Sequence, residues 1–440
     1  MRRNENLWRG LGLECFSSRV QTSWNFLAAA RGLCGTPRTS LLGTPDDLAD
    51  NSCRMVIRKA VIPILIVGSV LVAGVFAGTR LIEEKYHRVR IQAPYDLPAA
   101  TADLQQRLFV ADLHADSLLW GRNLLKRSTV GHVDIPRLQQ AHVSLQAFTV
   151  VTTIPRNLNI GLNGPSSDMV RYLAIAEGWP PRTWNSPKER ALYQAERLRK
   201  FESDSEGTLI LLRTRSDLQR FVASGGTHRV AAILGAEGAQ PLEGKLENLN
   251  ELYDAGFRMM SPTHFTDTDF GGSASGQNRG GLTALGHKWV HLMETKNMLI
   301  DLAHASPATV KDVTGIATKP VIVSHTGVRG TCNNNRNLSD DELRSVARTG
   351  GVIGLGFWET AICGRDAQAV ARAIHYTVGL VGAQHVALGS DFDGATTMPF
   401  DVTGVPRITD ALNKAGLSER DIRLVMGENV VRVLSQTLPE

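Results

Sequence analysis

Cysteine is scarce. The 440 residues hold five, and Cys15, Cys34 and Cys53 all precede residue 60. That leaves Cys332 and Cys363 for the main body, neither in a Cys-X-X-Cys pair. In an oxidising compartment, two such residues are more simply one disulfide than metal ligands. An excess of charge is also missing where it would matter. Residues 1–59 carry nine Lys/Arg against five Asp/Glu, whereas residues 79–440 carry 39 against 38. The body therefore has no basic field for nucleic acid, which is not expected as a partner. No Gly-X-Gly-X-X-Gly follows the first apolar strand pattern, so the dinucleotide fingerprint is lacking. The run Gly271-Gly272-Ser273-Ala274-Ser275-Gly276 lacks the Gly-Lys-Ser/Thr ending of a phosphate loop and reads as a flexible pocket loop. There is no internal repeat and no low-complexity tract.

One long hydrophobic run is present. Ala60 to Gly78 gives 19 uncharged residues, enough for a helix to cross a hydrocarbon core of about 30 Å. Arg58 and Lys59 precede it, so the positive-inside rule keeps residues 1–59 in the cytoplasm and sends the body outward. The expected organisation is a disordered cytoplasmic leader at 1–59, a single-pass signal-anchor at 60–78, a charged stalk at 79–103 and a folded domain at 104–440. A cleaved signal peptide is the rival for the apolar run, because small residues from Ala73 to Gly78 close it.

The body alternates apolar strand-like runs with helical stretches, the pattern of a parallel sheet built from βα units. Eight strands are expected: Leu108–His114, Val143–Thr152, Arg229–Ala236, Phe257–Thr263, Met298–Ala303, Pro320–Ser324, Gly351–Phe357 and His385–Ser390. Most are rich in Val, Ile and Leu without polar alternation, as strands buried on both faces are. Eight of them imply a (β/α)8 barrel of the TIM type, with an open doubly wound sheet as the alternative. Ser186-Pro187-Lys188-Glu189 and Ser339-Asp340-Asp341-Glu342 have the Ser-then-Glu spacing of helix starts. The insertion from Ile154 to Gly207 reads as loop plus one helix, shaping the mouth of a pocket.

Catalytic residues of such barrels gather where the strands end. Those positions hold His114 and Asp116, Glu237, His264, His304, His325 and Asp391. In Asp112-Leu113-His114-Ala115-Asp116, the two-residue strand period sends His114 and Asp116 to the same side. Any one strand-end histidine is more simply a hydrogen-bonded core or loop residue; the set is what argues for chemistry. The remaining histidines, His87, His132, His228 and His375 among them, fall elsewhere. His287 and His291 are four apart, but Lys288 follows where a helical metalloprotease needs a glutamate base. Four histidines and three acids exceed one tetrahedral site with an open position. They suit two metals bridged by one carboxylate and one hydroxide. Glu237 is the natural bridge, with His114 and Asp116 on one metal, His304 and His325 on the other, and His264 and Asp391 free for proton transfer or oxyanion stabilisation. The class this implies is a binuclear metallohydrolase.

The chain resembles the membrane dipeptidases of the renal dipeptidase type, a branch of the amidohydrolase-like barrels. The matching stretches are Asp112–Asp116, Gly235-Ala236-Glu237-Gly238, Thr263-His264, Gly281–Gly286, Ile300–His304, Pro320–His325, Asn335-Arg336-Asn337, Gly389–Gly394 and Gly427–Val430. By that resemblance His114, Asp116, Glu237, His304 and His325 bind two zinc ions, bridged by Glu237 and a hydroxide. The resemblance also gives His264 to substrate and oxyanion, Arg336 to the dipeptide's C-terminal carboxylate, and Asp391 to the proton for the leaving amine. Asp393 rivals Asp391, which is preferred as nearer the strand end. Cys332 and Cys363 fall where some relatives carry a disulfide. Ala115 and Ser117-Leu118 replace the Asn and Leu-Pro usual in the first motif, which implies altered packing or substrate fit. The implied protein is a membrane-anchored zinc dipeptidase for dipeptides, including those with D- or dehydro-residues at the C-terminal position. Its catalytic domain lies outside the cytoplasm, and a homodimer is left open. The alternatives are another binuclear amidohydrolase for cyclic amides, lactones or N-acyl groups, and a non-catalytic scaffold on a dead barrel.

Overall fold

The computed structural model describes residues 78–164, 167–225 and 228–440. The expected leader, and the apolar run up to residue 77, lie outside the described residues. Among those described, no helix is long and apolar enough to cross a membrane. Thr79–Glu440 form one compact unit.

Nine parallel strands build the sheet. They are β1 (Val110–Ala115), β2 (Val143–Val151), β3 (Leu209–Leu211), β4 (Val230–Glu237), β5 (Phe257–Met260), β6 (Leu299–Ile300), β7 (Ile322–Thr326), β8 (Val352–Leu355) and β9 (Val386–Leu388). The hydrogen-bonded order is β6-β5-β4-β2-β1-β9-β8-β7. A bridge between Asp301 and Ile322 joins its two ends, with Leu302 N–H donating to the Ile322 carbonyl at 2.7 Å. The path thus returns on itself as a TIM-type α/β barrel of eight strands. The remaining strand, β3, was not expected. It pairs with Val230–Ala232 of β4, below the stretch where β5 pairs with Leu234–Ala236, and three residues give too little pattern to read.

Two apolar layers follow from the strand period. Ala111, Leu113, Leu145, Ala147, Ala231, Ile233 and Val352 form an inner cluster closed by Val430, Val433, Leu434 and Leu438 at the C-terminal helix Asn429–Thr437. Val110, Val143, Ala232, Leu234, Ile353 and Leu388 belong to the larger cluster shared with the surrounding helices. Both expected helix starts are present. Ser186 Oγ accepts from Glu189 N at 3.1 Å, and Ser339 and Glu342 form a reciprocal capping box.

Several boundaries differ from expectation. β5 stops at Met260 and β6 at Ile300, so His264 and His304 stand on loops beyond the strands. Asp301 diverts the chain after β6, its Oδ1 accepting from Ala303 N at 3.0 Å and Ser324 N at 2.8 Å. β7 runs on through Thr326 and includes His325. The 154–207 insertion holds two helices, Met169–Ala176 and Pro187–Asp204, instead of one. Residues 79–103 are no extended stalk. Residues 79–86 are helical, Glu83 and His87 are buried, and Arg90 N–H donates to the Met398 carbonyl at 3.0 Å. The physical reason is that this segment's charged groups find partners on the barrel, Glu83 pairing with Arg122.

Candidate metal centre

The centre is built around Glu237, the last residue of β4. Ala231 and Ile233 fill the barrel interior, and the two-residue period carries Glu237 to that same side at the mouth. Gly238 then turns the chain at φ +95°, where a β-carbon would come within 3.1 Å of His264 Cβ. Glu237 Oε1 lies 3.0 Å from His304 Nε2, 3.3 Å from His325 Nε2 and 3.6 Å from His114 Nε2, and its Oε2 lies 3.3 Å from His264 Nε2. Asp116 Oδ1 is 3.4 Å from His114 Nε2. All of these side chains are buried.

Hydrogen bonds behind the rings fix their direction. Ser324 Oγ is 3.0 Å from His114 Nδ1 and 3.1 Å from His325 Nδ1. Thr149 Oγ1 donates to Asp116 Oδ1 at 2.6 Å. His304 and Asp391 both hold φ at +63°, a left-handed conformation that non-glycine residues keep only when the surroundings impose it. Gly271–Gly276, expected as a flexible pocket loop, is largely buried and tied down: Ser273 Oγ donates to the His264 carbonyl and Ala274 N–H to the His304 carbonyl at 2.8 Å. It fixes the backbones of two site histidines.

Electrostatics separate the groups. Burial pushes Glu237 well above the usual carboxylate range, and the Asp116 charge adds to it. Burial raises Asp391 in the same way. Burial drives His264, His304 and His325 well below the usual imidazole range, with His114 and Arg336 adding repulsion. His114 is pulled down by burial too, but the Asp116 and Glu237 carboxylates outweigh it and hold it up to about 10. Three histidines are thus neutral, the form that binds metal. His114 Nε2 is buried with no hydrogen-bond partner, although two carboxylates face it. His304 Nε2 and His325 Nε2 approach to 3.1 Å. Three donor groups meet the geometry of a metal site: His114, Glu237 and His325; Glu237, His264 and His304; and His114, Asp116 and Asp391. The donor set therefore fits divalent metal with Glu237 shared between groups.

The family model for membrane dipeptidases, peptidase family M19, matches residues 99–438. The chain belongs to this family. Dipeptidase aclJ of Aspergillus oryzae is 28% identical over 350 residues, covering 74% of this chain and 78% of that protein. Two solved structures share the fold. Dipeptidase AC, an M19 metallopeptidase, has a TM-score of 0.63 at 24% identity, covering 76% of this chain and 99% of its own. A Rhodobacter sphaeroides metallopeptidase, liganded with a phosphinate mimic of the dipeptide L-Ala-D-Ala, has a TM-score of 0.63 at 24% identity over 75% of this chain and 99% of its own.

Every strand-end residue expected in this M19 chain converges at the barrel mouth. One detail differs: His325, expected to pair with His304, has its ring centroid 3.7 Å from that of His114 and 5.0 Å from that of His304. Arg336 is buried, with its guanidinium over the Trp358 ring. Its one side-chain hydrogen bond among the described residues runs from Nη2 to the His325 carbonyl at 2.9 Å, so the rest of the fork is available to a ligand. Asp391 and Asp393 are told apart. Asp391 belongs to a metal-competent group, whereas Asp393 is saturated by donors from Ser117, Arg122 and His132. Burial opposes it, but Arg122, His87 and His132 hold Asp393 well below the usual carboxylate range. Ala115 is buried in the core cluster shared with the helices. Cys332 and Cys363 form a disulfide with 5.2 Å between Cα atoms. Sequence reasoning missed Ser324 and Thr149, whose only signal was a hydroxyl on a strand beside a site residue.

Proposed function

We propose that the protein is a membrane-anchored binuclear zinc dipeptidase, with residues 60–78 as the anchor and the catalytic domain outside the cytoplasm. The observation that carries the enzymatic reading is Glu237, whose one carboxylate lies 3.0–3.6 Å from four imidazole nitrogens. His114, Asp116 and Glu237 would hold one zinc ion, and Glu237, His304 and His325 the other, with Glu237 shared. When bound, such a pair activates water at neutral pH and polarises the scissile carbonyl. The chain's own residues do the rest. Arg336 receives the C-terminal carboxylate of the dipeptide in its planar fork. His264 donates to the developing oxyanion from a water-poor site. Asp391, whose proton affinity burial raises, shuttles the proton to the leaving amine. The Rhodobacter sphaeroides relative bound to an L-Ala-D-Ala mimic supports substrates with a D-residue at the C-terminal position. The Cys332–Cys363 disulfide supports an exported domain. The homodimer stays open in this reading.

The test is a dipeptide panel that includes L,D pairs, run with metal analysis and a chelator control. The expected result is about two zinc ions per chain and hydrolysis that the chelator stops. Glu237→Ala should abolish turnover with the fold retained. Full activity in a metal-free preparation would end the reading.

A further inference from the structure

Behind Asp391 lies a buried network that ties the start of the compact unit to the end of β9. Asp393 Oδ2 accepts from Ser117 Oγ and from Arg122 Nη2, both at 2.6 Å, and Oδ1 accepts from His132 N at 2.6 Å. The Asp393 N–H donates to His132 Nδ1 at 3.0 Å, and its carbonyl accepts from Trp120 Nε1 at 2.8 Å and from His87 Nε2 at 3.0 Å. The planar fork of Arg122 spans three partners: Asp393, the Val133 carbonyl at 2.8 Å, and the Glu83 carboxylate. Glu83 and His87 stand more than 300 residues before Asp393, in the segment that enters the barrel.

The turn so clasped is strained. Asp391, Asp393 and Ala395 have φ of +63°, +61° and +55°, where L-residues stay only if their surroundings over-determine them. At Gly394 a β-carbon would stand 2.0 Å from Asp391 Oδ1, so the carboxylate lies directly over that glycine. The turn thus sets where Asp391 points. Its other anchors come from neighbouring strands, since Asp116 N–H donates to the Phe392 carbonyl at 2.9 Å and Ser390 N–H to Asp112 Oδ1 at 2.7 Å. Asp393 is the group whose contacts reach out to the N-terminal helix.

We propose that Glu83, Arg122 and Asp393 are positioning residues for Asp391. The helix at residues 79–86 holds Arg122 through Glu83, Arg122 holds Asp393, and the turn from Asp391 to Ala395 keeps the Asp391 carboxylate beside His114 and Asp116 in the donor group. The segment leading into the barrel is then part of the catalytic apparatus. This rests on the dipeptidase reading for its readout.

The test compares Glu83→Ala, Glu83→Gln and Arg122→Lys in the full chain with wild type. Arg122→Lys keeps the charge but loses the fork. A catalytic group displaced by about 1 Å loses on the order of a hundredfold in rate, so kcat on a dipeptide should fall at least about tenfold in Glu83→Ala and Arg122→Lys. KM and zinc content should stay within about twofold. Glu83→Gln still offers Arg122 an acceptor and should keep more than about half of wild-type kcat. A purely structural role would lower the melting temperature and leave kcat of the folded, zinc-loaded enzyme unchanged, and that result overturns the proposal. Should Glu83→Ala prove insoluble, Arg122→Lys decides alone. Wild-type enzyme that hydrolyses no dipeptide would sink the dipeptidase reading instead, a separate outcome.

Discussion

Ser324→Ala removes one hydroxyl that serves two imidazoles. Ser324 Oγ lies 3.0 Å from His114 Nδ1 and 3.1 Å from His325 Nδ1, and a serine oxygen has two lone pairs with which to accept. Both rings then point Nδ1–H at Ser324 and Nε2 at Glu237, the arrangement needed for metal binding through Nε2. Alanine leaves two buried N–H groups without partners and lets both rings turn. A neutral hydrogen bond contributes about 0.5–1.5 kcal/mol, so two amount to about 1–3 kcal/mol. With about 1.4 kcal/mol to each factor of ten, zinc affinity should fall about 5- to 150-fold. That range brackets the 10- to 100-fold typical for losing a partner behind a metal ligand. Chelator competition at neutral pH measures the affinity, and turnover at saturating zinc should return to within a few-fold of wild type. Affinity should also rise with pH, because zinc displaces the proton that Asp116 and Glu237 stabilise on His114. A variant that binds zinc within about twofold of wild type would refute the orienting role of Ser324.

Two more predictions follow from the same geometry. Arg336→Ala should raise KM for dipeptides about 10- to 150-fold, since hydrogen bonds to a charged group contribute about 1.5–3 kcal/mol. Amides without a free carboxylate should be unaffected, and equal losses on both would favour an amidohydrolase for cyclic amides, lactones or N-acyl groups. Stability should weaken in acid through His87 and His132. Burial outweighs the pull of Asp393 and lowers them to about 4 and about 3. Both are neutral in folded and unfolded chains above pH 6.5, so nothing changes there. As pH falls from about 6.5 towards 4, the unfolded chain takes up protons that the folded one refuses, and His87 alone takes away about 3 kcal/mol. Urea unfolding of wild type and His132→Asn across that window checks this: the variant should lose less, and parallel slopes would count against it.

Strand ends were legible because they combine two short-range signals, an apolar run and the polar residue that stops it. His114 and Glu237 needed nothing more, whereas Asp391 stands on the loop beyond β9, which stops at Leu388. His264 and His304 were found at the right mouth but on loops; for His304 the cause is Asp301, whose carboxylate accepts from Ala303 N and Ser324 N and ends β6 early. No local pattern announces that diversion. β3 was missed because three residues carry no period. The contacts of residues 79–90 were missed for another reason: Glu83 and His87 resemble any solvated helix charge, and their partners Arg122 and Asp393 are remote in sequence. Side-chain saturation separated Asp391 from Asp393, which strand geometry alone leaves equivalent.

The barrel divides stability from chemistry along its axis, and the electrostatics of the upper end say what it binds. Below, Val430, Val433 and Leu434 close the apolar inner cluster. Above, Asp116, Glu237 and Asp391 crowd together with one charged and three neutral imidazoles. Burial raises the proton affinity of Glu237 and Asp391 and lowers that of His264, His304 and His325. Protons cannot satisfy both classes, because a pH that charges the imidazoles neutralises the acids. A divalent cation satisfies both at once: it supplies positive charge to the carboxylates and takes the lone pairs of neutral rings. The strained backbone at His304 and Asp391 is retained on the same account, since a relaxed φ at either residue would carry its side chain away from the donors gathered around Glu237.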